Sequence, residues 1–180
     1  KNKVLGLDPN KKTFTFLGHI RPYKGVLDLI EAFKNIKDSQ KSQLLISGRV
    51  GSDEELALIK NEINRVNNII FKPGFVEDDF VEAYLKCSDV LIYPYKNILT
   101  SGALILGMSM GKTCLASNVG SMTEFLNKEF VFNNVEELTK LMKGIEDKTV
   151  KEINEIGIAN YNRIKKDTWA NMAKELKNSY

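Results

Sequence analysis

The chain has 180 residues, 43% of them hydrophobic, a length and apolar content that suit one domain with a sizeable core. Twenty-six basic against 23 acidic side chains leave a net charge of +3, too even for a surface whose main business is nucleic acid or an anionic membrane, so small anions fit better than polymers. The single histidine, His19, excludes a multi-histidine metal cluster, the two cysteines form no disulfide framework, and neither a secretory leader nor an apolar run of about 18 residues appears.

Six short runs rich in β-branched, aromatic or aliphatic residues have strand length: TFTFL (13–17), QLLIS (43–47), NIIF (68–71), DVLIY (89–93), TCLAS (113–117) and EFVF (129–132). They run apolar with little alternation, as strands covered on both faces do, which predicts a parallel sheet between helical layers. Around the end of the first run, FLGHIRPYKGV (16–26) sets two glycines, a proline and two cations ahead of a helical pattern. A turn needs only glycine and proline, so Arg21 and Lys24 require a further explanation, and a phosphate-bearing ligand supplies it. Val26, Leu29, Ile30, Phe33 and Ile36 then recur at three- and four-residue spacing on one face of a predicted helix.

After the second run, Ser52 and Glu55 make a capping box ahead of Leu56, Ile59, Ile63 and Val66. The third predicted helix has Glu77, Asp78 and Asp79 in its first turn, where carboxylates complement the helix dipole without needing a metal, and Phe80, Ala83, Tyr84 and Cys87 along its apolar face. Cys87 and Cys114 sit inside apolar segments as small hydrophobes. The fourth run leads into PYKNILTSGALILGMSMG (94–111), in which Thr100, Ser101 and Gly102 open a helix. Free backbone N–H groups there, with hydroxyls and a glycine beside them, form a phosphate cradle. Beyond Phe132, three successive helices are predicted over 133–145, 147–166 and 167–180.

Strands alternating with helices six times over, then a helical tail, define an α/β domain with a doubly wound, Rossmann-like parallel sheet of about six strands. Ligands in such sheets bind at the carboxyl ends of the strands, where the Arg21 and Ser101 loops lie. A P-loop would require GxxxxGK[ST] and a dinucleotide site GxGxxG after the first strand, and neither is present. A phosphoacceptor receiver domain would require acidic residues at strand ends that carry Gly18, His19 and Gly48 instead.

Three segments, FLGHIRPYKGVLDLIEAF, NIIFKPGFVEDDFVEAYLKCSDVLIYPY and GMSMGKTCLASNVGSMTEFL, resemble in that order the C-terminal, donor-binding domain of the group 1 family of GT-B-type glycosyltransferases. The resemblance covers residues 13–126 closely, and in the tail Trp169 falls on a last helix that returns toward an N-terminal domain. It implies that residues 1–180 are a single nucleotide-sugar-binding domain, one half of a GT-B fold, and Lys1 in place of a methionine fits excision from a longer chain.

The resemblance further implies a UDP- or GDP-linked sugar donor whose diphosphate is held by Gly18, Arg21, Lys24, Thr100, Ser101 and Gly102, with no metal and no cofactor. Lys24 falls on the family's lysine. The family's arginine position, directly after the glycine, holds His19, so Arg21 takes that role from two residues later. Gly120 and Glu124 match the family's glycine-rich loop and its glutamate near the donor, and Phe75 and Val76 lie where the base is held by backbone contacts. Where the family carries two glutamates separated by seven residues, this chain has Ile98 and Leu106, so the sugar and ribose contacts do not carry over.

The implied activity is that of a retaining, metal-independent hexosyltransferase serving polysaccharide or glycolipid synthesis in the cytoplasm, at the inner face of the membrane. Its own N-terminal domain would be the partner and the route of any peripheral membrane association; nucleic acid would not be a partner. Two alternatives stand beside it: a nucleotide-sugar epimerase on the same architecture, and a non-catalytic nucleotide-binding module, which the missing glutamates favour.

Overall fold

In the computed structural model, which describes residues 5–36, 40–64 and 66–165, all six apolar runs become strands. They are β1 Lys12–Leu17, β2 Ser42–Gly48, β3 Ile69–Pro73, β4 Val90–Tyr93, β5 Thr113–Ser117 and β6 Val131–Phe132. They form one sheet in the order β3-β2-β1-β4-β5-β6, every neighbouring pair parallel. Strands β2, β4 and β5 are buried along their whole length, which explains the absence of alternation in their sequences. The expected EFVF strand starts only at Val131. A single 3₁₀ turn, Lys128–Phe130, tucks Phe130 into the core before the edge strand begins, so apolar burial there does not mean extended backbone.

Helices α1 Val26–Lys34, α2 Asp53–Ile63, α3 Asp78–Cys87, α4 Gly102–Ser109, α5 Met122–Phe125, α6 Val135–Glu146 and α7 Val150–Ile164 connect and cover the strands. The predicted face of α1 is buried as a block, Val26, Leu29, Ile30 and Phe33, with Ile36 just beyond it, and it packs against α6. Ser52 caps α2 by accepting the Glu55 N–H, and Ile59 is its fully buried residue. Helix α3 differs from expectation. Phe80 is 60% exposed, and the core contact runs through Leu85 and Val81, one residue around the helix from the predicted stripe. Tyr84 and Cys87 pack on a small satellite cluster of Leu5, Leu7 and Leu45.

Two of the three predicted tail helices are α6 and α7; the third, with Trp169, lies outside the described residues. Thr149 and Glu152 close a full capping box at the start of α7. That helix docks on the sheet's β5 end, where the Asn160 amide donates to the Lys112 carbonyl and the Thr113 hydroxyl donates to that of Ile153. The strand order reverses between β1 and β4, so the loops that follow these two strands flank the crevice of the sheet.

Candidate functional site

Beyond the end of β1 the chain stays tied to the β2 loop. Gly18 N–H donates to the Ser47 carbonyl at 3.1 Å, Ile20 N–H to that of Arg49 at 2.9 Å, and Gly51 N–H to that of Ile20 at 2.9 Å. Gly48 permits this approach: its φ is 149°, and a Cβ on it would collide with the Gly18 carbonyl. The isolated parallel bridge Ile20↔Val50 extends the pairing past the strands. Ile20 is fully buried, so its neighbours His19 and Arg21 turn the other way, beside Arg49 and Gly51 across the bridge. His19, Arg21, Arg49, Val50 and Gly51 line one pocket of about 170 Å³. The sequence reading missed Arg49. Its only signal is its place directly after Gly48, as His19 directly follows Gly18.

Arg21 starts a 3₁₀ turn, Pro22–Lys24, closed by Lys24 N–H donating to the Arg21 carbonyl at 2.8 Å. Gly25 ends it at φ 67°, where a Cβ would strike the Pro94 carbonyl. Lys96 N–H donates to the Tyr23 carbonyl at 2.7 Å, so the turn is clamped to the β4 loop. Lys24 Nζ lies 3.6 Å from the centroid of the Tyr95 ring and 5.3 Å from that of Tyr23. Burial lowers the Lys24 ammonium from its ordinary value. Burial also pushes the Tyr95 phenol up to about 12, partly offset by a hydrogen bond with Ser101. Arg21 and Lys24 thus sit at opposite ends of one turn, the first toward the β2 loop and the second toward the β4 loop.

At the start of α4, Ser101 is buried and its hydroxyl oxygen accepts the Leu104 N–H at 3.2 Å, so that oxygen serves the helix itself. Thr100 and Gly102 are exposed beside it. Gly120, at φ 53°, lies against the Ile98 and Leu99 carbonyls, and Ser121 donates both its N–H and its hydroxyl to the latter. The β5 loop is thereby pinned to the β4 loop. Glu124 is exposed on α5, its backbone carbonyl accepting from Arg163 of α7 at 2.8 Å.

Phe75, 64% exposed, and half-buried Val76 stand in the β3 loop. The expected donor-binding residues therefore lie on the segments that follow β1, β3, β4 and β5, in loops or in the helices those loops open. Ile98 is half-buried. Leu106 lines a largely apolar pocket of about 180 Å³ with Leu17, Gly18, Val81, Leu85 and Ala103. No helix among the described residues is long and apolar enough to cross a membrane.

A family model described as Glycosyl transferases group 1 matches residues 11–147. An uncharacterized glycosyltransferase of Methanocaldococcus jannaschii is 25% identical over 185 residues, covering 99% of this chain and 47% of that protein. A GDP-mannose:glycolipid 4-beta-D-mannosyltransferase of Xanthomonas campestris pv. campestris is 28% identical over 99 residues, 55% of this chain and 28% of its own. Among solved structures, sucrose-phosphate synthase from Thermosynechococcus elongatus superposes with a TM-score of 0.80 at 19% identity, covering 99% of this chain and 47% of that one. The chain therefore spans about half the length of the relatives it matches from end to end. The structural likeness shows the fold: the doubly wound domain corresponds to one half of a GT-B architecture.

Proposed function

The chain belongs to the group 1 glycosyl transferases, and from that premise we propose that it is the donor-binding half of a glycosyltransferase that takes a UDP- or GDP-linked sugar. The observation that carries this reading is the meeting of two anion-seeking groups at the switch point of the sheet. Lys24, stripped of part of its water, and the first turn of α4 both adjoin Tyr95. A half-buried ammonium gains more from an anion than a solvated one does, because less water has to be displaced.

The diphosphate would lie along the Gly18 to Lys24 loop, reached by Arg21 at one end and by Lys24 with the Gly102 amide and the Thr100 hydroxyl at the other. As the sugar leaves, negative charge grows on the diphosphate, and these fixed donors neutralise it without a metal. The base would rest on the backbone at Phe75 and Val76, and the sugar beside Gly120 and Glu124. Transfer with retention, to a polysaccharide or glycolipid acceptor at the inner face of the membrane, would need an acceptor half supplied by the protein's own N-terminal domain. The 180-residue chain alone would then transfer nothing. Ile98 and Leu106 in place of acidic side chains favour a second reading, a non-catalytic nucleotide-binding module; transfer by the chain joined to its N-terminal domain would eliminate it.

Calorimetric titration with UDP and GDP tests the donor site. Arg21→Ala and Lys24→Ala should each weaken nucleoside diphosphate binding by about 1.5 to 3 kcal/mol, with the melting temperature nearly unchanged. Unchanged affinity in both variants sinks the proposal.

A further inference from the structure

The pocket between the β1 and β2 loops holds chemistry that the donor reading uses only through Arg21. Two guanidinium groups and the chain's one imidazole line it, and Lys24 does not. Their convergence is imposed by the backbone. The Ile20↔Val50 bridge fixes His19 beside Arg49 and Arg21 beside Gly51, and the bare Gly48 backbone holds the two loops too close to splay apart.

Among the described residues, neither Arg21 nor Arg49 makes an ion pair within 4.0 Å or donates a side-chain hydrogen bond. An acidic group that acts on Arg21 is Glu55 of α2. Burial pushes its carboxyl up from the ordinary value, while a Gly51 backbone hydrogen bond and the charge of Arg21 pull it back. The pocket's own lining holds two guanidiniums and no carboxylate, the acids Asp53, Glu54 and Glu55 standing on the first turn of α2 beyond it. Like charges lining one pocket are unfavourable until an anion joins them.

We propose that His19, Arg21 and Arg49 form a subsite for a phosphate-type oxyanion, with Arg49 a binding residue of it. The chemistry suits this class. Guanidinium groups present forked N–H donors that match tetrahedral oxyanions, and the imidazole adds a further donor at the pocket mouth. Such a group arrives either as one end of the donor's diphosphate or as the phosphate of a second, phosphorylated sugar ligand. The subsite shares Arg21 with the donor reading but requires no nucleotide.

The test titrates the full chain with inorganic pyrophosphate, a nucleoside diphosphate and a hexose 6-phosphate, and repeats each titration with Arg49→Gln and Arg49→Lys, melting temperatures serving as the control for folding. Arg49→Gln should weaken pyrophosphate at least about fivefold, with Arg49→Lys recovering part of the loss. If nucleoside diphosphate weakens in parallel, the oxyanion is the donor's; if only hexose phosphate does, it belongs to the second ligand. Affinities for all three probes within about twofold of the unaltered chain would return both arginines to solvent and overturn the inference, as would the absence of binding by any probe. Lys24→Ala, run alongside, reports on the donor reading separately, because Lys24 does not line this pocket.

Discussion

Basic side chains stand at both edges of the sheet, and they are treated differently. At the amino edge, Lys12 of β1 donates to the Ile145 carbonyl at 3.2 Å, to that of Lys148 at 2.5 Å and to that of Glu146, capping the end of α6. Lys112, just before β5, donates to the Ser88 carbonyl at the end of α3 at 2.8 Å, and Lys11 to the Asn68 side chain at 2.8 Å. At the carboxyl edge Arg21 and Arg49 share an open pocket, and Lys24 has only aromatic faces for company among the described residues. The helices run back against the strands, so the amino edge collects helix C-termini with their spare carbonyls, and the carboxyl edge collects helix N-termini with their spare N–H groups. A lysine at the first edge finds an acceptor in the protein. A cation at the second adds to positive charge already there. Lys96 is met by Asp28 at 2.9 Å, whereas Arg21, Arg49 and Lys24 have no ion pair within 4.0 Å among the described residues and are open to an anion from outside.

The largest effect should come from breaking the frame that presents the carboxyl-edge cations. Gly48→Ala forces a Cβ toward the Gly18 carbonyl at a φ of 149° and should cost about 3 kcal/mol or more of stability, read by denaturant unfolding. A loss below about 1 kcal/mol would mean that the two loops part easily and that the pocket is no fixed feature.

Next, Lys12→Met should cost about 2 kcal/mol of stability, since it orphans helix-end carbonyls, and should leave nucleoside diphosphate affinity unchanged. Arg21→Met should shift stability by less than about 0.5 kcal/mol. Equal stability losses in the two variants would erase the distinction between the edges. The smallest effect concerns the ligand. Leu106 cannot accept the ribose hydroxyl hydrogen bonds that a glutamate there would, so a nucleoside diphosphate should bind at least about tenfold more tightly than its monophosphate, roughly 1.4 kcal/mol. Removing the ribose 2′-hydroxyl should matter little. A tenfold loss for the deoxy diphosphate would show that another group holds the ribose, with Glu124 the first to examine.

The amino-acid sequence by itself determined the strands and the class of the fold, because strands buried on both faces have to be written as unbroken apolar runs. It also determined the two loops worth examining, since glycine, proline and cations in one turn are a local signal. Where local signals were ambiguous the reading slipped. Periodicity gave α3 an apolar stripe but not which of two adjacent stripes meets the sheet, so Phe80 was turned inward when Leu85 and Val81 are. Phe130 is buried from a 3₁₀ turn, which hydrophobicity cannot tell from a strand.

Only the tertiary structure decided who stands beside whom at the carboxyl edge. Arg49 lies 28 positions after Arg21, and nothing local to either announces the other. They meet because β2 pairs with β1 in one register and a glycine lets that pairing continue past the strands to Ile20 and Val50. Likewise Lys24 acquires its partly desolvated state from Tyr95, which the strand order places next to it across the switch point. Register and strand order are settled by how whole faces pack, so the composition of a binding site drawn from several loops becomes visible only once those faces are in place.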